Sequence, residues 1–272
     1  MAGALKKSDI EILLSTMNRT SLDFLVPMFP FAHFSDFNIL IVNQTTEDKP
    51  LVSPYTNIRI VNSFELGLSR SRNLAMQNSI AHICLFTDDD VVFIPGFQKG
   101  ILKAFNDNPE AALIAFRAEN GAGKPYRKYA PGRTTNTTVI DRLLILSIEM
   151  AVNRRYIAKM GISFDEQFGL GAAYGMGEEA IFAHDLYTAG GQIVLEPHTI
   201  VSHASQDTHS RAIVADKYFI QGAFFSRLFG NQWLLWVFTK LAYELKNKKI
   251  CFANVAVAIR AAYKGRNAFK RK

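Results

Sequence analysis

Short apolar segments alternate with helical patterns along the chain as far as residue 203. The apolar runs that end at polar residues predict buried strands, and they lie at residues 10–15, 37–42, 58–61 and 83–86. Helical spacing predicts helices at 68–79 and at 95–106, where Pro95 suits a first turn. Strands that alternate with helices in this way are typical of an α/β fold with a mostly parallel central sheet and helices on both faces.

The second half of the chain is less regular. A strand-like run at 143–152 and a short helix at 154–160 follow a basic segment rich in glycine and proline, residues 117–138. We expect this segment to be a mobile loop that either closes over an anionic substrate or is a simple surface excursion. The last part of the chain has helical patterns, and the clearest amphipathic stretches are 215–229 and 232–246.

Composition fits a globular protein. With 272 residues, of which 49% are hydrophobic, the chain can bury the core of a large α/β domain. Its two cysteines, Cys84 and Cys251, are far apart in sequence, so we do not expect a disulfide framework. No segment has the roughly 18 uncharged apolar residues that a membrane-spanning helix needs, and the start of the chain lacks the apolar stretch of a signal peptide. We therefore expect a cytoplasmic protein.

Positive charge is concentrated at the end of the chain. Residues 240–272 carry ten lysines and arginines against the single acid Glu244, whereas the formal net charge of the whole chain is +7. The same region follows an aromatic stretch, Trp233 to Phe238. Aromatic and basic residues together favour a peripheral contact with the anionic inner face of a membrane. Nucleic acid is the rival partner, which we do not expect, and a helix packed on the core with a solvated basic face is the third interpretation.

Three adjacent acids provide the first candidate for chemistry. Asp88, Asp89 and Asp90 follow the apolar run at 83–86, where open α/β sheets bind ligands beyond the carboxyl ends of their strands. Adjacent carboxylates repel one another unless a cation lies among them, and oxygen ligands suit Mn²⁺ or Mg²⁺. The run therefore predicts a metal site for a phosphate-bearing substrate. A solvated acidic turn is the alternative.

A second acidic cluster begins a predicted helix. Four glycines between Gly169 and Gly177 precede Glu178 and Glu179. Glutamates at a helix start interact favourably with the helix dipole, which is one interpretation. The other is that a carboxylate takes the proton of an acceptor hydroxyl in a transfer reaction. His203 ends a later apolar strand, either as a structural residue or as an imidazole ligand that completes a Mn²⁺ site.

The order of these features resembles family 2 glycosyltransferases of the GT-A fold, from about residue 10 to residue 203. The segments that carry the resemblance are residues 15–19, 67–75, 88–90 and 177–179. They match the loop after the first strand, a characteristic helix start, the metal-binding D-x-D motif and a Gly-Glu-Asp motif whose second acid is the base. Two positions depart from the family pattern: Asn43 replaces an Asp near the nucleobase, and Glu179 replaces the Asp base.

The resemblance implies a role for each candidate residue. Glu179 is the base, and Glu178 orients the acceptor. The expected metal ligands are Asp88, Asp90 and His203. The expected nucleotide-sugar contacts are Ser15, Thr16, Asn18, Arg19, Asn43, Ser69, Arg72, Asn73, Asp88 and Asp89.

The resemblance also implies the architecture. It predicts a GT-A catalytic domain at 1–210, with a nucleotide-sugar-binding half at 1–115 and an acceptor-binding half at 139–210. A helical, basic extension at 211–272 would follow, and it would contact the membrane.

The implied reaction is metal-dependent transfer of a sugar, by default from a UDP-sugar, with inversion at the anomeric carbon. Residues 164–171 and the ending at His203 look most like members that build bacterial capsule, O-antigen or lipopolysaccharide, which suggests a glycan acceptor that is lipid-linked. A nucleotidyltransferase acting on a sugar phosphate is one alternative, although residues 16–21 lack the glycines that cradle phosphate. A glycan-binding module without catalysis is the other, although the acids of a catalytic site are intact.

Overall fold

An eight-stranded sheet forms the centre of the computed structural model, which describes residues 4–204 and 213–271. In chain order the strands are β1 Ile10–Met17, β2 Ile39–Gln44, β3 Ile58–Ser63, β4 Ile83–Asp88, β5 Val91–Phe93, β6 Ala111–Asn120, β7 Met150–Asn153 and β8 Gln192–His203. Across the sheet their order is β3-β2-β1-β4-β7-β6-β8-β5. Neighbouring strands are parallel from β3 to β4 and between β6 and β8, whereas β7 and β5 run antiparallel to their neighbours.

Helices follow most of the strands. They are α1 Leu68–Asn78, α2 Phe97–Asp107, α3 Val139–Leu143, α4 Arg154–Met160, α5 Glu178–Thr188, α6 Val214–Phe229, α7 Trp233–Lys246 and α8 Val255–Lys270. Alternate residues of a strand face opposite layers, so Ile12 and Leu14 of β1 pack into one core and Leu13 packs into the other. Because apolar side chains are buried on both faces, the strands appear in the sequence as continuous apolar runs. The expected α/β fold is confirmed.

Two elements differ from the expectation for residues 111–152. The run at 143–152 was expected to be a strand, but only Met150–Asn153 is a strand, and α3 ends at Leu143. Thr138 and Asp141 form a capping box in which each side chain bonds the other's backbone N–H, and this starts a helix before the apolar run. The ten-residue strand β6 was not predicted, and its last four residues lie in the segment expected to be a loop.

The chain divides into two units. The first contains the sheet and the helices α1 to α5; the second contains Gln167–Gly177 and the helices α6 to α8. The expected boundary between residues 210 and 211 lies outside the described residues. No helix in the described part of the chain is long and apolar enough to cross a membrane.

Close helix packing shapes the second unit. A Cβ atom on Gly222 of α6 would lie 2.0 Å from the carbonyl oxygen of Ala262, and one on Gly265 of α8 would lie 1.8 Å from that of Phe219. Only glycine fits at these two positions, which lets α6 and α8 cross at backbone contact. Around them pack apolar side chains such as Tyr218 and Val237.

Candidate active site

Polar side chains meet at the carboxyl ends of β1, β2 and β4. The parallel register pairs Ser15 with Asp88 and Thr16 with Asn43. The hydroxyl of Ser15 also accepts a hydrogen bond from Ser71 of α1 at 3.0 Å or donates one to it. Strand register therefore brings together four of the residues that the sequence predicted.

Arg72 of α1 joins three carboxylates. Its guanidinium donates to Asp88 at 3.1 Å and to Glu178 at 3.0 Å, and a carboxylate oxygen of Glu179 lies 3.5 Å away. Only 2% of the Arg72 side chain is exposed. Burial alone would lower the pKa of Arg72, but Asp88, Glu179 and Glu178 together raise it, so the cation is retained. One buried cation thus holds the end of β4 next to the start of α5.

The two glutamates at the start of α5 differ in exposure. Glu178 exposes 5% of its side chain and is hydrogen-bonded to Arg72, whereas Glu179 exposes 20%. Burial and the charge of Glu178 raise the pKa of Glu179 to about 7, although Arg72 opposes the shift. A carboxylate with a pKa near neutrality can both take and release a proton under physiological conditions, as a general base must.

Asp89 fixes the loop after β1. It accepts hydrogen bonds from the Arg19 guanidinium at 2.6 and 3.0 Å and from the Thr16 hydroxyl. The Arg19 guanidinium also lies over the ring of Phe24, 4.8 Å from its centre. Asp89 is therefore an anchor of this loop, and its neighbour Asp88 contacts Arg72 on another side of the strand end.

Asn43 is fully buried and holds the same loop from the other side. Its amide oxygen accepts from the backbone N–H of Arg19, and its amide nitrogen donates to the carbonyl of Arg19, both at 3.0 Å. The nitrogen also donates to Asn62 at 3.2 Å. Asn18 adopts a left-handed backbone conformation with φ 54°, and its N–H bonds to Gln44. The residue that departs from the family pattern thus shapes the backbone of the expected donor loop.

Asp90 and His203 form a separate pair. β5 and β8 pair Val91 with His203, which places His203 Nε2 3.1 Å from a carboxylate oxygen of Asp90. The His203 ring packs against Tyr126, with centres 5.6 Å apart, and its buried Nδ1 has no hydrogen-bond partner within residues 4–204 and 213–271. An oxygen donor beside a nitrogen donor fits a Mn²⁺ or Mg²⁺ ion that is completed by substrate phosphates and water.

Asp88, the third expected metal ligand, contacts other side chains. Asp88 contacts Arg72 and accepts from the Ser147 hydroxyl at 3.4 Å. Among residues 4–204 and 213–271, no group of three or more His, Cys, Asp or Glu side chains is arranged to hold a metal. The pair Asp90 and His203 thus presents an oxygen and a nitrogen donor side by side, and Asp88 stays a predicted ligand.

The two remaining predicted residues lie on α1. Ser69 is buried. The Asn73 amide donates to the carbonyl of Phe164 at 2.9 Å and to Glu166 at 3.2 Å, and it accepts from the Phe164 N–H at 2.8 Å. Asn73 therefore orders the segment that ends at Glu166.

Sequence reasoning missed a buried network beneath the basic loop. Glu149 accepts hydrogen bonds from the Arg127 guanidinium at 2.7 and 3.2 Å and from the Tyr129 hydroxyl at 2.5 Å. Ser147, which contacts Asp88, lies in the same single helical turn as Glu149. The sequence signal for this network is Glu149 itself, an acid within an apolar run. A buried carboxylate needs a cation or hydrogen-bond donors beside it. The loop expected to be mobile is thus anchored at two residues.

The topology of the sheet, with acids at the end of β4 and glutamates at the start of α5, defines a GT-A fold, as expected. The family described as "Glycosyl transferase family 2" matches residues 11–160, more than half of the chain. The chain belongs to this family, which confirms the expected enzyme class, a nucleotide-sugar glycosyltransferase.

Solved structures agree on the fold. The chain is similar to the crystal structure of S. aureus TarS 1-349, with a TM-score of 0.62 and 14% identity over 96% of this chain and 82% of that one. It is also similar to TarS 1-349 in complex with UDP-GlcNAc, with a TM-score of 0.60 and 15% identity over 93% and 79%. At this identity the likeness shows the fold alone. No curated protein sequence matches the chain.

Proposed function

We propose that this chain is an inverting glycosyltransferase that moves a sugar from a UDP-sugar to a hydroxyl of a growing cell-surface glycan such as capsule, O-antigen or lipopolysaccharide. The observation that carries the proposal is Glu179, a partly exposed carboxylate with a pKa raised to about 7, held beside Arg72 at the ends of the parallel strands. Family membership supports the transfer chemistry. A UDP-GlcNAc complex among the similar structures supports the donor class.

The donor is expected at the carboxyl ends of β1, β2 and β4. Thr16, Arg19 and Asp89 hold one loop there, and Asn43 fixes its backbone. We assign Asp88 to orienting the donor, because Arg72 and Ser147 hold it in place. Preorganised groups of this kind stabilise charge without having to rearrange during the reaction.

Asp90 and His203 would hold a Mn²⁺ or Mg²⁺ ion, which when bound would neutralise negative charge on the leaving diphosphate. The ring of Tyr126 packs against the His203 ring.

Glu179 performs the proton transfer. It takes the proton of the acceptor hydroxyl while that oxygen forms a bond to the anomeric carbon, and the bond from that carbon to the diphosphate oxygen breaks. Attack from the face opposite the diphosphate inverts the anomeric configuration. Glu178 and Arg72 keep Glu179 in place, and the charge of Glu178 raises its proton affinity.

We further propose that the C-terminal unit contacts the inner face of the cytoplasmic membrane, where a lipid-linked acceptor would lie. Large apolar side chains are exposed on it, among them Leu235, Phe238 and Phe252. Residues 213–271 contain eleven lysines and arginines, and of their two acids Glu244 is buried against Lys217 at 2.6 Å. Exposed apolar and basic side chains together suit an anionic membrane surface better than they suit nucleic acid.

A donor screen tests the proposal. Purified protein with Mn²⁺ is incubated with UDP-, GDP- and CMP-sugars, and the release of free nucleotide is measured, with Asp90→Ala as the control. We expect one UDP-sugar to be hydrolysed or transferred and Asp90→Ala to abolish the release. Release of pyrophosphate from a nucleoside triphosphate incubated with a sugar phosphate would instead indicate a nucleotidyltransferase, and nucleotide binding without release would indicate a binding module.

A further inference from the structure

A second concave site lies at the amino ends of β1 and β2. The cavity has a volume of about 490 Å³, and its wall comes from the segments before β1 and β2 and from the first turn of α2. Lys7 precedes β1 and Phe37 precedes β2, whereas the expected donor residues Thr16 and Asn43 lie at the carboxyl ends of these strands. A strand of eight residues such as β1 spans about 25 Å. The cavity is therefore separate from the candidate active site.

Aromatic rings form the apolar wall of this cavity. Phe31 exposes 38% of its surface, and its ring stands edge-on to that of Phe37, with centres 6.3 Å apart. Phe37 in turn packs on Phe97, with centres 5.5 Å apart. An exposed ring supported by buried rings is a rigid apolar platform that can stack on the apolar face of a small ring.

Gln98 gives the wall of the cavity a polar side chain. It lines the cavity and exposes only 6% of its surface. Within the described residues its side-chain amide makes no hydrogen bond. The amide therefore faces the cavity with donor and acceptor groups available to a ligand that both donates and accepts hydrogen bonds, as hydroxyl groups do.

Positive charge surrounds the same opening. α2 has eleven residues, and its first turn has no side-chain cap because Gly96 precedes it. Its free backbone N–H groups and helix dipole attract anions. Lys7 and Lys99 also line the cavity, and neither forms an ion pair within the described residues, whereas Asp36 is the single acid in the wall. The balance favours an anionic ligand.

We propose that this cavity binds an anionic saccharide, whose sugar ring stacks on Phe31, whose hydroxyls bond Gln98 and Asp36, and whose carboxylate or phosphate meets Lys99, Lys7 and the start of α2. The identity of this ligand rests on the proposed function. The ligand would be a completed segment of the glycan acceptor, bound at a distance from the end that is being extended. The enzyme would thereby recognise the charged repeat of its own product.

Calorimetry on the full chain without donor tests the binding directly. The probes are a hyaluronan tetrasaccharide, which carries carboxylates, its neutral counterpart tetra-N-acetylchitotetraose, glucose 6-phosphate and inorganic phosphate. We expect the hyaluronan tetrasaccharide or glucose 6-phosphate to bind at least about tenfold more tightly than both the neutral tetrasaccharide and phosphate, which distinguishes carboxylate from phosphate as the charge. Saturating UDP should leave this affinity unchanged.

Three variants of the cavity wall and one control variant locate the site. Lys99→Glu and Gln98→Ala should each weaken binding by about tenfold or more, whereas Lys264→Glu, a charge reversal at an exposed lysine of α8, should leave it unchanged. Phe31→Ala should weaken the binding of saccharides more than that of phosphate.

Four results would overturn the inference: no binding of any saccharide, equal binding of neutral and anionic ones, phosphate binding as tight as saccharide binding, or loss of binding with UDP. Because no turnover is involved, these results are independent of the donor screen. If the protein releases nucleotide in the donor screen but binds no anionic saccharide in calorimetry, the proposed activity stands and the second site does not.

Discussion

Glu149 is buried and Glu179 is partly exposed, and the two carboxylates differ in the donors that surround them. Glu149 is fully buried and accepts hydrogen bonds from Arg127, Tyr129 and the backbone N–H of Leu146. Glu179 has its cation at 3.5 Å, and that cation also serves two other carboxylates. Burial raises the pKa of both. The difference is that every oxygen of Glu149 has donors, whereas Glu179 retains an accessible face on which a substrate proton can be received.

Glu179→Gln tests the role of Glu179 as the base and is expected to have the largest effect. We expect kcat to fall by roughly 10²- to 10⁴-fold, because an amide cannot take a proton, while the KM for the donor changes little. Steady-state kinetics with the donor found in the screen measures both values. Glu65→Gln, at an exposed glutamate paired with Arg70, is the matched control and should behave as wild type. Unchanged kcat in Glu179→Gln would remove the base assignment.

Arg72→Gln tests the cation that the catalytic carboxylates share. Its loss leaves Asp88, Glu178 and Glu179 without their buried partner, so we expect the free energy of unfolding to fall by about 3–5 kcal/mol. Urea denaturation measures this. Arg70→Gln removes the exposed arginine of the same helix and should leave the free energy of unfolding nearly unchanged, because exposed ion pairs contribute little. Equal effects of the two variants would contradict the role of Arg72.

Glu149→Gln tests whether the buried carboxylate of Glu149 stabilises the fold without taking part in proton transfer. Loss of its charge weakens the bonds to Arg127 and Tyr129, and we expect a stability loss of about 2 kcal/mol. Activity per folded molecule should remain within a few-fold of wild type, because Glu149 does not handle the substrate proton. A loss of kcat as large as that in Glu179→Gln would mean that the anchored loop takes part in turnover.

The pH profile gives the smallest but most specific effect. Glu179 acts as a base only when deprotonated, so with a pKa of about 7 the value of kcat/KM should rise about tenfold per pH unit below neutrality and level off above it. Glu178→Gln removes the neighbouring negative charge that raises the pKa, so the midpoint should move to lower pH. A profile that is flat from pH 5 to 8 would argue against Glu179.

The central strands and the acids that follow them could be predicted, because a buried parallel strand is a continuous apolar run and Asp88 comes where one ends. The strand β6 could not, since its alanine-rich run fits a helix or a strand equally well. A capping box lies just before the run at 143–152, and a buried acid lies within it, so an apolar pattern alone could not predict its structure.

The sequence proposes the residues of the candidate site but not the contacts between them. The position of Arg72 among three carboxylates depends on α1, β4 and α5 meeting in space, which no local pattern shows. The sequence likewise grouped Asp88 with Asp90, whereas their side chains have different partners. Neighbours at a strand end can point to different sides, and tertiary packing decides which cation each one meets.

Asn43 has a consequence for how the enzyme responds to its surroundings. Its amide both accepts from and donates to the backbone of Arg19, and an aspartate at this position could not donate when ionised. An amide does not titrate between pH 5 and 9. The hydrogen bonds between Asn43 and the backbone of Arg19 therefore do not depend on pH. At acidic pH, protonation of Glu179 would stop proton transfer, whereas these hydrogen bonds would still hold the expected donor loop.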